Sequence, residues 1–238
     1  MDNELKQKVI DEFKKLFDSD STIRSLYKSV SEGTATEAAA YKFAKRCSEL
    51  TNHVFKVFVN PLIDDEHLIY ELAEETIIPM LLKDYDVISR YCIDVSKITL
   101  EKLELGLNPI KPAMDIERAQ GLVKAVSSYE TFNEDGLGQK IANFNYHIVD
   151  EHIKQNSEFM YGSGLSTKIT RTTQGKTCEW CREKAGIYYY PGVPSEVFMR
   201  HDNCDCEIKV EYSKHKKPSY YMRTSGNAFV RSSWWKKE

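Results

Sequence analysis

Four of the six cysteines fall between residues 178 and 206, and a histidine stands among them. Cys178-Glu179-Trp180-Cys181 sets two thiols two residues apart, and His201-Asp202-Asn203-Cys204-Asp205-Cys206 supplies three further donors. Two intervening residues let both thiolates face one ion about 2.3 Å from each sulfur, and a distant His/Cys group can complete a tetrahedron, as in structural zinc sites. Five donors compete for four places. Cys178 and Cys181 are the firm pair; from the second group His201 and Cys204 are favoured, with Cys206 as a substitute or supporting partner. Packing alone would hold a loop-rich segment of about 45 residues only with difficulty, which is a physical reason for a metal.

Other chemistries compete for the same residues. One or two disulfides formed in an oxidising medium, or reduced cysteines that bind nothing, remain open alternatives. A catalytic zinc would keep an open fourth position beside a general base, and a supply of five donors points away from it. A redox Cys-x-x-Cys belongs to a βαβ context, unlike the surroundings of Cys178. No catalytic residue is expected, and the chain is not expected to be an enzyme. Cys47 and Cys92 lie in apolar stripes and read as core residues. His147 and His152 flank Asp150-Glu151, but histidines five apart diverge by about 140° on a helix, whereas a zinc-protease pair is four apart. Gly136-Leu137-Gly138 has no preceding strand and so makes no dinucleotide site. His53, His67 and His215 have no suitable neighbours in sequence, and Asp64-Asp65-Glu66 and Glu74-Glu75 read as helix-start or solvated charges.

The elements that must carry this cluster are legible from periodicity. Leu5, Val9, Ile10, Phe13, Leu16 and Phe17 predict an amphipathic helix over 4–17, with Asp2 or Asn3 as its cap. A longer helix begins near Thr36 and stops at Pro61, striped by Ala40, Phe43, Cys47, Leu50, Val54 and Phe58. Residues 66–95 repeat the pattern, with Pro79 expected to kink or divide it. Pro109 and Pro112 mark a linker, Asp115 caps a helix over 116–128, and 133–138 reads as a turn before a long helix ending near Gly162 and Gly164. From residue 167 the period becomes two: Lys168-Ile169-Thr170-Arg171-Thr172-Thr173 predicts a strand. A short helix over 179–185, a segment 187–191, a helical piece near 194–199 and a strand over 207–212 complete the module. The expected fold is α+β: a mainly α-helical N-terminal body over 1–165, a small zinc-clamped α/β module over 166–212, and a basic tail over 213–238.

The chain's 238 residues are 41% hydrophobic and 29% charged, enough apolar content for a sizeable core, which excludes collagen-like and wholly disordered classes. Its net charge of −3 is unevenly spread. Residues 213–238 hold seven basic side chains against Glu238 alone, so the tail carries +6 and residues 1–212 carry −9. The start Met1-Asp2-Asn3-Glu4 lacks the basic region and apolar stretch of a signal peptide, and no run is long enough to span a membrane; the chain is expected to begin in the cytosol.

The order Cys178-x-x-Cys181, Ala185-Gly186, Pro194-x-x-Val197-Phe198-x-Arg200-His201-Asp202-Asn203-Cys204-Asp205-Cys206, followed by a strand, resembles the C-terminal motif of phage head-morphogenesis proteins, the Mu F-like minor capsid family. It is most similar to versions from phages of Gram-positive bacteria. The resemblance covers about residues 140–212, since Phe144, Asp150, Asn156, Phe159 and Tyr161 also fit the helix that leads into the motif. The first 130 residues are similar only in being acidic and helical. The family usually has an arginine between its last two cysteines; this chain has Asp205, which leaves the metal constellation untouched.

The resemblance implies a minor structural protein of a bacteriophage head, a virion component made in the host cytoplasm. It would associate with the portal and/or major capsid protein and act in head assembly or in genome packaging or ejection. In the tail, Lys214, Lys216, Lys217, Arg223, Arg231, Lys236 and Lys237 are interleaved with aromatic residues including Trp234 and Trp235. Such a segment can neutralise phosphates and lay rings on bases of packaged DNA, pack on the body or on a capsid protein, or stay solvated. The alternatives to the virion role are a zinc-supported nuclease of the treble-clef type, with His201 beside Asp202 and Asn203, and a DNA-binding module resting on the tail alone.

Overall fold

The computed structural model describes residues 3–63, 67–174, 178–201, 204–214, 224–225 and 228–229. Helices α1 (Asn3–Ser19), α2 (Ser21–Ser31), α3 (Glu37–Phe58), α4 (Tyr70–Lys102), α5 (Ile116–Ser127) and α6 (Glu134–Gly162) precede strand β1 (Ser166–Thr172). Helix α7 (Glu179–Lys184), β2 (Gly186–Tyr189), a 3-10 turn over Ser195–Phe198 and β3 (Glu207–Ser213) follow. A two-residue ladder, β4 (Thr224–Ser225) with β5 (Ala228–Phe229), lies beyond them. The architecture is α+β, mainly helical with a small three-stranded antiparallel sheet at the C-terminal end. Among the described residues no helix is long and apolar enough to cross a membrane.

Most boundaries follow local chemistry. Asp115 caps α5 by accepting from Arg118 N at 2.9 Å, and Asn133 caps α6 by accepting from Gly136 N at 2.9 Å. Helix α6 ends in a Schellman motif: Gly164 has φ +94°, its N–H donates to Tyr161 O, and Leu165 N–H reaches back to Met160 O. Buried Leu165 packs with Met160 and Leu100, so this stop aims the chain into β1.

One element was not foreseen, and two expectations are corrected: Pro79 does not divide its helix, and 133–138 is not a turn. Helix α2 was not foreseen; Asp20 caps it, and Ile23, Leu26, Tyr27 and Val30 have helical spacing diluted by serines. Pro79 lies inside one continuous helix of 33 residues: the apolar face buried along α4 outweighs the roughly 3 kcal/mol that an interior proline costs. The glycines of 133–138 are likewise the first turns of α6. At Gly138 a Cβ would stand 3.0 Å from Asn52 Nδ2 of α3, so the missing side chain permits close approach of the two helices.

In the sheet β1 is central, paired with β2 and β3. Ile169 stands opposite Tyr188 on one side and Val210 on the other; Arg171 stands opposite Gly186 and Ile208. Ile169, Tyr188, Val197, Phe198, Ile208 and Val210 belong to the same apolar cluster as the stripes of α1, α3, α4, α5 and α6. The sheet therefore rests on the helices through a shared core. Cys47 and Cys92 are buried within that cluster, where burial pushes both thiols up.

Candidate metal centre

Helix α7 is one turn and a half long, and Cys178 is its cap: the sulfur accepts from Cys181 N at 3.3 Å. This turn points both sulfurs to one side, where His201 Nε2 lies 3.0 Å from Cys178 Sγ and 2.8 Å from Cys181 Sγ. Cys204 Sγ lies 3.6 Å from Cys181 Sγ, close to the sulfur–sulfur edge of about 3.8 Å in a tetrahedron with 2.3 Å bonds. The five donors form two groups in which all ligand atoms lie within 4.8 Å of one another: Cys178, Cys181 and His201, and Cys181, Cys204 and Cys206. Cys181 belongs to both. This Cys/His cluster could hold a metal ion. Cys181, Cys204 and Cys206 are buried, His201 is half-buried and Cys178 is exposed.

The loop that brings in the second group is tied down by buried side chains of the body. Arg200 donates through Nε and Nη2 to the carboxylate of Asp150 on α6, and each of the two side chains is 1% exposed. The same guanidinium donates to Cys204 O at 3.0 Å and Cys206 O at 2.7 Å. Burial works against the Arg200 charge, but Asp150 outweighs it and holds the guanidinium protonated. Tyr41 of α3 donates to Asp150 Oδ1 at 2.5 Å and accepts from Ile208 N at 3.2 Å. Asn143, two turns before Asp150 on the same face of α6, donates to His201 O at 2.9 Å.

A second arginine reaches the cluster from the sheet. Arg171 donates to the carbonyls of Val197 and Met199, the latter at 2.8 Å, and its Nη2 lies 3.6 Å from Cys204 Sγ. Its guanidinium carbon is 5.4 Å from the ring of Trp180, whose edge meets His201. The Cys206 thiol, and then Cys206's backbone and Arg200, hold the Cys204 thiol well below its ordinary range, whereas Cys206 itself is pushed up.

Each of the five predicted donors thus belongs to one of two groups that share Cys181. Of the tail residues, Lys214 is described and lies 3.9 Å from Glu104; Lys216, Lys217, Arg223, Arg231, Trp234, Trp235, Lys236 and Lys237 lie outside the described residues. So do Asp202, Asn203, His215 and the Asp64-Asp65-Glu66 run. His147 and His152 do not meet: His147 pairs with Asp115 at 3.4 Å and His152 Nε2 with Ser96 Oγ at 2.8 Å. His67 Nδ1 lies 3.0 Å from Tyr129 O.

The residues the sequence did not assign a role are the arginines and their anchors. A signal for Arg171 was present: it shares strand parity with Ile169, so a strand that buries one buries the other. Asn143 and Asp150, seven apart, occupy one face of a helix. That Tyr41 joins them required the packing of α3 on α6. Comparison of the chain with protein-family models, with curated proteins and with solved structures returns no match.

Proposed function

We propose that this chain is a minor structural protein of a bacteriophage head, associated with the portal or inner capsid, in which the Cys/His cluster holds one zinc ion as a structural clamp. The observation that carries the clamp is that its loop is fastened from two directions: Arg200 binds the carbonyls of Cys204 and Cys206, and Arg171 those of Val197 and Met199. A centre whose donors are mostly buried and whose backbone is committed to fixed side chains suits a structural ion better than exchange of substrates. The virion role rests on the motif's resemblance to the head-morphogenesis proteins and on the contrast between an acidic body and a basic tail.

The nuclease alternative needs His201 as a free base beside a phosphate. Here its Nε2 faces two cysteine sulfurs, which favours ligation over proton transfer. Co-expression with the portal and major capsid proteins of the same phage, followed by co-purification, tests the proposal. Association with either protein, together with presence in purified heads, is the expected result. Absence from heads, or Mg²⁺-dependent plasmid cleavage lost in His201→Ala, would overturn it.

A further inference from the structure

Arg171 is 2% exposed and is among the largest fully buried side chains of the protein. A guanidinium cannot lose its proton in a protein, so its charge must be met where it lies. Arg200 meets that demand with Asp150. Arg171 does not: its partners are two backbone carbonyls, the ring of Trp180 and Cys204 Sγ, and its Nε has no hydrogen-bond partner. Among the described residues no carboxylate pairs with it. A buried cation with no anion is costly, and among the described residues the ionisable group within hydrogen-bond distance of it is the Cys204 sulfur, with the Cys206 sulfur next to that.

We propose that Arg171 is the charge partner of the metal–thiolate centre, and that Cys204 is therefore its fourth ligand. The inference rests on the metal-clamp reading above. A divalent ion bound by three thiolates and a neutral imidazole retains one negative charge, since ligating cysteines are deprotonated. One buried guanidinium neutralises it. A fourth thiolate in place of His201 would leave a second negative charge, and among the described residues no second buried guanidinium is free to meet it, because Arg200 is paired with Asp150 and Lys184 stands on the outer side of the cluster, 6.0 Å from the Trp180 ring. Both arginines lean toward the same sulfur, Nη2 of Arg171 at 3.6 Å and Nη1 of Arg200 at 3.9 Å from Cys204. Cys206 is then the neutral thiol beside it. Position 171 is also where the sheet must supply such a group: it is the last inward-facing position of the central strand, where the apolar core ends and the cluster begins.

The test is Co²⁺ binding to the full chain, followed by the thiolate-to-metal charge-transfer and d–d absorption bands, with wild type, Arg171→Met and Arg171→Lys. Met keeps the stem without the charge; Lys keeps the charge without the fork. Loss of an outer-sphere partner of a metal ligand typically weakens affinity 10- to 100-fold. The expected order is wild type tightest, Arg171→Lys intermediate, Arg171→Met at least tenfold weaker, with an absorption spectrum of three thiolates retained in Cys206→Ser but not in Cys204→Ser. Should Arg171→Met fold only with metal, the Co²⁺ concentration that restores its helical circular dichroism gives the same ratio. Equal affinities of wild type and Arg171→Met, or a Lys variant as weak as Met, would overturn the role of the charge and leave the clamp standing. Failure of wild type to bind Co²⁺ or Zn²⁺ would overturn the clamp itself, and this inference with it.

Discussion

Arg200 and Asp150, fifty residues apart in the chain, form a two-point ion pair in which each side chain is 1% exposed. One end of this pair is in helix α6, the other in the loop that delivers His201, Cys204 and Cys206. Because the guanidinium also binds the carbonyls of Cys204 and Cys206, the pair fastens the cluster to the helices as well as satisfying itself.

Removing one partner leaves the other charge buried and alone, which costs about 3–5 kcal/mol. Asp150→Ala and Arg200→Ala are each expected to lose that much in urea denaturation, while Tyr41→Phe, which strands a carboxylate lone pair and Ile208 N, costs about 1–3 kcal/mol. A loss under 1 kcal/mol in Asp150→Ala would show that the anchor is dispensable.

Cys181 is common to both donor groups. Cys181→Ser is expected to bring metal per chain close to zero, whereas Cys206→Ser leaves four donors and retains it. Elemental analysis of the two variants purified side by side, without chelator, makes the comparison; equal loss from both would contradict the shared position of Cys181.

Asp84 is wholly buried, accepting from Thr51 Oγ1 at 2.9 Å and Asn145 Nδ2 at 2.7 Å. Burial pushes its carboxyl from 3.8 up to about 7, against the pull of those two hydrogen bonds. The folded protein therefore keeps a proton that the unfolded chain has released, and stability falls as pH rises from about 4 through 7. Asp84→Asn, whose carbonyl can take the same donors, should exceed wild type in melting temperature at pH 8 and lose that advantage by pH 4. A gap that does not change with pH would refute the protonated carboxyl.

His152 is shifted the other way. Burial against Ser96 and Asn156 depresses its imidazole from 6.5 to about 4. Below pH 6.5 the unfolded chain takes up a proton that the folded one refuses, so this residue's share of stability is lost as pH falls from 6.5 to 4. Over that window its effect opposes that of Asp84. His152→Gln should therefore lose less melting temperature than wild type, or gain more, as pH is lowered from 6.5 to 4, the difference between the two proteins growing toward pH 4. An unchanged profile would remove His152 from the balance.

Much of this protein is local information. The stripes of α1, α3 and α5, the caps Asp115 and Asn133, the alternation of β1 and β3 and the Cys-x-x-Cys turn depend on neighbours within one or two turns, so periodicity and spacing reveal them. Proline and glycine misled at Pro79 and Gly136, because their local penalties are a few kcal/mol at most and a long buried helix face exceeds them. The convergence of His201, Cys204 and Cys206 on Cys178 and Cys181 was legible as a set of donors. What bound them together was not: Tyr41, Asn143, Asp150, Arg171 and Arg200 lie on four different segments. A buried charge takes its meaning from the opposite charge or carbonyl beside it, and which groups stand side by side is decided when α3, α6 and the sheet pack. Residue types and local periods were set by sequence; the pairing of Arg200 with Asp150, and of Arg171 with the Cys204 sulfur, was decided by tertiary structure.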